Sequence, residues 1–321
     1  MIFIKILPLL LGFCLDLLIG DPHEIPHPVV WIGRLISFLE KKLRAVFPKT
    51  AAGEKAAGFT LWVIVTAVSA AIPWGILYAC GRISLWLKIA VESIMCWQIL
   101  AIRDLKDESM KVHHELVKEN IPGARRAVSM IVGRDTERLD EKGIIRAAVE
   151  TVAENTSDGI IAPMFFLALG GAPAGFFYKA VNTMDSMLGY IDAPYMNFGW
   201  FPAKADDICN FIPARLAAMQ MLLAGFFQRL NVRNGWKIFF RDRYKHASPN
   251  SAQTEAACAG LLEVQLAGNA WYHGILHEKP FIGDPMREIE TEDIPRICRL
   301  MYLTSFLMLI LSCWIRVHLL R

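Results

Sequence analysis

The chain has 321 residues, 54% of them hydrophobic and 20% charged, at a mean hydropathy of +0.35. Soluble globular chains carry about 25% charge, so this composition excludes disorder and surface-rich solenoids. A net charge of +3 is too small for a nucleic-acid footprint. The seven cysteines (Cys14, Cys80, Cys96, Cys209, Cys258, Cys298 and Cys313) are widely spaced, mostly within apolar runs and without a C-x-x-C pair. They read as buried thiols rather than as a zinc site or a disulfide framework.

Residues 2–20 form an apolar run whose continuation, GDPHEIPHP, lacks the small-residue signature of a cleavage site. A membrane helix interrupted by Asp16 is expected there. Residues 58–80 are long enough to cross a bilayer, which takes ~20 residues. The run 83–102 is weaker, carrying Lys88 and Glu92, and a last run covers 300–315. Basic residues gather between the runs, in 21–57, 103–146 and 229–245. The positive-inside rule places these three segments in the cytoplasm and the N-terminus outside, making 58–80 and 83–102 an out-and-back pair.

Residues 160–178 and 211–227 are also hydrophobic, but the first holds Pro163, Gly170, Gly171, Pro173 and Gly175, and the second holds Arg215. Two ordinary spans here would put 179–210 outside, away from cytoplasmic nucleotides, so re-entrant or protein-buried helices are expected. The predicted fold class is all-α: a polytopic integral membrane protein with broken or re-entrant helices and cytoplasmic helical loops, forming a single membrane-embedded domain over residues 1–321.

Polar clusters interrupt the apolar sequence. In ETVAENTSDG, Glu150, Glu154 and Asp158 fall at i, i+4 and i+8, so a helix sets three carboxylates in a row that needs cations beside it. The same spacing suits a solvated face with NTSDG as its C-terminal turn. In YKAVNTMDSMLGY, Lys179, Asn182 and Asp185 recur every three residues, with Ser186 and Gly189 one turn on. In AKADDICNFIPARL, Lys204, Asp206, Asp207, Asn210 and Arg215 sit beside Trp200 and Phe201. Charges embedded in apolar sequence mark functional sites by default, with a simple Asp207–Arg215 pair across helices as the structural alternative. In SPNSAQTEAACAG, Ser248 and Asn250 precede a helix carrying Glu255, whose small residues suit a packing face. Asp21, His23 and His27 lie in a proline-stiffened loop fit for metal or for an ordinary membrane-exit turn. Phosphate-loop, nucleophile-elbow and H-E-x-x-H motifs are missing, so a bound nucleotide would rely on carboxylate-held Mg²⁺ with Lys and Arg.

These motifs, with GDPHEIPHPVVWIG, resemble in order and separation those of the CobD/CbiB family of cobalamin biosynthesis, over about residues 20–275. The resemblance implies an inner-membrane adenosylcobinamide-phosphate synthase with a cytoplasmic catalytic face. Its reaction would be an ATP- and Mg²⁺-dependent ligation of adenosylcobyric acid to aminopropanol or its phosphate. From the matched motifs, Glu154, Asn155, Asp158, Lys179, Asn182, Asp185, Asp206 and Asp207 are the catalytic candidates, and their chemistry makes Glu154, Asp158, Asp185, Asp206 and Asp207 the candidate Mg²⁺ ligands, directly or through water. Asn210, Arg215, His27, Ser248, Asn250 and Glu255 of the matched motifs, with Lys204, are the binding candidates, and Lys179, Lys204 and Arg215 are the candidate phosphate partners by charge. Lys204 stands where relatives often carry another basic residue, keeping the charge but not a planar fork. Trp200, Phe201, Trp271 and Tyr272 could wall a corrin. The lipid bilayer is the expected partner, nucleic acid is not, and a homo-oligomer is compatible with the sequence. A related signalling membrane family without catalysis and a corrinoid transporter are the alternatives.

Overall fold

In the computed structural model, which describes residues 2–22, 27–189, 194–272 and 274–319, helices account for nearly all regular structure. The chain runs through α1 (Ile2–Ile19), α2 (Pro28–Val46), α3 (Ala51–Ile83), α4 (Leu85–Trp97), α5 (Ile102–Val117), α6 (Ile121–Ser129) and α7 (Glu141–Asn155). A π-helical segment, Thr156–Ile161, leads into α8 (Ala162–Leu188), followed by α9 (Trp200–Cys209), α10 (Phe211–Phe227), α11 (Val232–Asp242) and α12 (Ser251–Leu262). Four short strands follow, β1 (Leu266–Ala267), β2 (Ala270–Tyr272), β3 (Ile275–His277) and β4 (Phe281–Ile282), before α13 (Asp293–Leu319). Among the described residues, four helical stretches are long and apolar enough to cross a membrane: Ala51–Ile83, Leu85–Val117, Glu141–Leu188 and Asp293–His318. The bent pair α9 and α10 makes a fifth if it counts as one span. The protein is therefore a multi-pass α-helical membrane protein, as the composition predicted.

The chain divides into two compact units. The first comprises Met1–Ala101, Ala162–Asn210 and Leu309–Arg321. Here α1 continues unbroken through Asp16, which is fully buried, so the acid lies within a helix rather than interrupting one. Ser84, in extended conformation, serves two helices. Its N–H bonds Cys80 O to end α3, and its hydroxyl accepts from Trp86 N at 3.2 Å to begin α4. The two helices pack against each other, in keeping with the expected out-and-back pair.

The expected break in the fourth apolar run is real and lies at Gly170 and Gly171 of α8. Gly171 has φ +65° and ψ −159°, a region essentially closed to residues with a Cβ, and Pro173 follows where the restarting helix has no acceptor for an N–H. Residues 211–227 follow α9 at a 45° bend, in keeping with the expected broken or re-entrant helix, but they are not wholly buried in protein. As α10 they bury one face but leave Phe211, Ile212, Met219, Leu223, Phe226 and Phe227 exposed, an apolar stripe suited to lipid rather than to full burial in protein.

The second unit comprises Ile102–Ile161 and Phe211–Met308. Its centre is α12, every residue of which but Ser251 is buried. The small residues do form the packing face foreseen: a Cβ on Gly260 would lie 2.7 Å from Asn234 O and from Gly235 Cα of α11, so the helices meet backbone to backbone. Asn234 Nδ2 donates to Gly260 O at 2.8 Å across the same contact. Strands were not foreseen. β1 pairs antiparallel with β4 (Leu266 opposite Ile282), and β2 with β3 (Trp271 opposite Leu276).

Candidate functional site

In the second unit, α7 carries Glu150 and Glu154, but the row does not reach Asp158 in the expected way. The α-helical ladder gives way to π turns at Thr156, so the i+4 spacing no longer stacks Asp158 above Glu154, and NTSDG is neither an α-helical row nor a terminal turn. Glu150 is a structural acid. Only 4% exposed, it pairs with Arg134 and accepts from Ala267 N at 2.5 Å, fastening β1 to α7. Asn155 Nδ2 donates to Thr151 O at 3.0 Å. Arg146, one turn before Glu150, has a buried Nε without a partner among the described residues, a cation that the sequence analysis passed over.

Glu255, on α12 and 3% exposed, faces a residue that the sequence analysis also missed: His246 Nε2 lies 3.0 Å from Glu255 Oε2. Burial pushes the Glu255 carboxyl up to about 7; His246 pulls it back, while Glu154 and Glu150 push further upward. For His246, burial alone would lower the imidazole, but the Glu255 hydrogen bond and charge, with Glu154, outweigh it and hold it above its ordinary value. Both members of the pair are thus held above their ordinary values, with the Glu154 charge in electrostatic reach of both. Beside it, Asn250 N donates to Ser248 Oγ at 3.3 Å, and Arg215 Nη1 donates to Asn250 Oδ1 at 3.2 Å and to Phe211 O at 2.7 Å. Asn250 caps α12 only by position, since no side-chain cap bond forms. Its side chain is engaged by Arg215.

In the first unit, Lys179, Asn182 and Asp185 lie on α8 as predicted, all partly exposed. On α9, Lys204 Nζ pairs with Asp207 Oδ2 at 2.9 Å; with side chains 57% and 21% exposed, this pair adds little stability. The alternative of an Asp207–Arg215 pair gives way to these partners. Asp206 is buried and takes Asn210 Nδ2 at 2.9 Å, while Tyr178 O–H donates to Asn210 Oδ1 at 2.8 Å. This chain orients Asp206 and joins α9 to α8. His27 caps α2, its Nδ1 accepting from Val29 N at 3.3 Å, with Nε2 at 3.8 Å from Asp21 Oδ1. His23 and Tyr190 lie outside the described residues.

The aromatic candidates have protein partners. Phe201 meets Phe59 and Trp62 edge-on at 4.8 and 5.2 Å, and Lys55 sits 5.0 Å over Trp200. Arg138 stacks 4.5 Å over Trp271, and Lys279 Nζ donates to Tyr272 Oη at 2.8 Å. Among the described residues, no three His, Cys, Asp or Glu side chains gather as a metal cage.

Fold and site together define a multi-pass helical membrane protein with ionisable groups buried beside its apolar helices. The family model described as "CobD/Cbib protein" matches residues 9–301, and the chain belongs to the CobD/CbiB family. It is 46% identical over 308 residues to the "Cobalamin biosynthesis protein CobD" of Clostridium perfringens, covering 96% of this chain and 97% of the relative. It is 45% identical to the CobD of Geobacter metallireducens (93% and 92% covered) and 45% identical to the "Cobalamin biosynthesis protein CbiB" of Salmonella typhimurium (94% and 94%). No solved structure matches it.

Proposed function

We propose that this protein acts in cobalamin biosynthesis as an ATP-dependent ligase of the inner membrane. It joins the free propionate of adenosylcobyric acid to aminopropanol, or its phosphate, through an amide bond. The observation that carries this reading is the buried His246–Glu255 pair within a family whose relatives are named for that pathway. An amine arrives as an ammonium ion and becomes a nucleophile only after losing a proton. A buried imidazole 3.0 Å from a carboxyl, both held above their ordinary values, suits that task.

The carboxylate is a poor acyl donor until one oxygen becomes a leaving group. Attack of the propionate on the γ-phosphorus of ATP releases ADP and forms an acyl phosphate. The amine then attacks the acyl carbon, the carbon–oxygen bond to phosphate breaks, and the proton passes to the His246–Glu255 pair. Mg²⁺ enters with ATP as part of the substrate. It would neutralise phosphate charge there; Asp185 and Asp207 are the acids of the first unit that would hold it, and Glu154 and Asp158 are the candidates in the second. Lys179 and Lys204 are the proposed phosphate partners of the first unit, and Arg215, held by Asn250, that of the second. Asp206 and Asn210 position these groups. The test is turnover by purified protein given adenosylcobyric acid, aminopropanol phosphate and Mg·ATP. Amide product with stoichiometric nucleotide consumption is expected; corrinoid binding with no ATP consumed would place the protein among carriers or sensors.

A further inference from the structure

An ion pair that none of the roles above uses lies at the break in α8. Arg316 of α13 donates through Nη2 to Glu92 Oε1 of α4 at 3.1 Å, and each residue is 7% exposed. The pair is only half closed. Nε and Nη1 of Arg316 are buried and lack a hydrogen-bond partner among the described residues. A buried guanidinium with two idle donors is costly unless something accepts from them.

Arg316 and Glu92 border a cavity of about 350 Å³ whose wall also includes Lys88, Gly170, Gly171 and Pro173. Gly171 admits the pair because it has no side chain: a Cβ there would stand 2.6 Å from Glu92 Oε1 and 3.4 Å from Arg316 Nη2. Beyond Gly171 the second half of α8 begins, and its first N–H groups have no helical acceptor, giving a positive end to the helix. Two cations against one carboxylate, the idle donors and the helix start all favour an oxyanion.

The cavity is not a site for a free ion alone. Its rim is Trp74, Tyr78 and Leu169, exposed by 62%, 59% and 44%. Tryptophan and tyrosine at the end of a spanning helix, near Arg82 and Lys88, mark the membrane–water boundary. A ligand with an anionic head and apolar tails matches a polar floor under an apolar rim. We propose that this cavity binds the phosphate of a phospholipid headgroup, with Arg316 and Lys88 on its oxygens and the acyl chains along Trp74, Tyr78 and Leu169.

The experiment uses the full chain, purified in detergent, stripped of lipid and titrated in native mass spectrometry. The probes are phosphatidylglycerol, the matching diacylglycerol without phosphate, and inorganic phosphate. One equivalent of phosphatidylglycerol should be retained in preference to the other two. Arg316→Lys keeps a cation for Glu92 while removing the idle donors, and should weaken retention about tenfold. The double variant Glu92→Met with Arg316→Met leaves no uncompensated charge and should abolish the headgroup preference. Diacylglycerol retained as well as phosphatidylglycerol, or an unchanged preference in either variant, would overturn the proposal. Inorganic phosphate bound as tightly as the lipid would overturn it too.

Discussion

Replacing Glu255 by glutamine separates the buried carboxyl from the fold around it. An acid whose folded-state value is raised keeps its proton where the unfolded chain has already released one. Folding is therefore favoured below that window, and the advantage is lost as the pH climbs from 4.5 to about 7. At 1.36 kcal/mol per unit the loss is about 3 kcal/mol, undiluted by solvent because Glu255 is only 3% exposed. His246, also held above its ordinary value, loses stability in the same direction. Glu255→Gln keeps the shape and a hydrogen-bond acceptor for His246 but cannot ionise. Melting of wild type in detergent should thus fall between pH 5 and pH 8 by on the order of 5 °C more than that of the variant. Turnover at pH 7.5 should drop by about 10²–10⁴-fold, the usual worth of a positioned acid–base group. Parallel melting curves would refute the buried ionisation, and near-normal turnover in a folded variant would refute the proton-accepting role.

Asp185→Asn and Asp207→Asn should each cost on the order of 10²–10³ in amide synthesis at saturating Mg·ATP. Melting of the Asp207 variant should barely move, because Asp207 pairs with an exposed lysine; a large melting loss with turnover intact would contradict the metal–nucleotide role. Cysteines placed at Lys49, Lys118 and Lys237 should resist an impermeant thiol reagent added to whole cells, since all three basic segments are proposed to face the cytoplasm. Labelling of any one from outside would overturn that arrangement. Gly260→Val should destabilise the protein by about 3 kcal/mol or more, read as a lower melting temperature, because its side chain enters the α11 backbone. A wild-type melt would contradict the contact.

Much of the fold was legible because its signals are local. Apolar runs of sufficient length became α3, α4, α8 and α13, and the GGAP sequence marked the break in α8, where one residue must take positive φ. The stripe of Lys179, Asn182 and Asp185 needed only helical periodicity. What escaped depends on tertiary contacts. His246 and Glu255 are nine positions apart and meet because a non-helical stretch folds back on α12. Glu150 reads as part of an acidic row until Arg134 and the Ala267 amide, 117 positions away, are seen to hold it. The π-helical turns at Thr156–Ile161 change the phase of Asp158 without any glycine or proline at their start to announce it. The strands between Leu266 and Ile282 are two or three residues long, too short for alternation to show.

Activation of the propionate by ATP before the amine attacks would move one propionate oxygen into phosphate, which isotope transfer reads. Adenosylcobyric acid carrying ¹⁸O in both oxygens of its free propionate is incubated with purified protein, aminopropanol phosphate and Mg·ATP, and the released phosphate is analysed by mass. One ¹⁸O per amide formed should appear in inorganic phosphate, with ADP in equal amount. Amide formed without nucleotide, or phosphate released without label, would contradict the account.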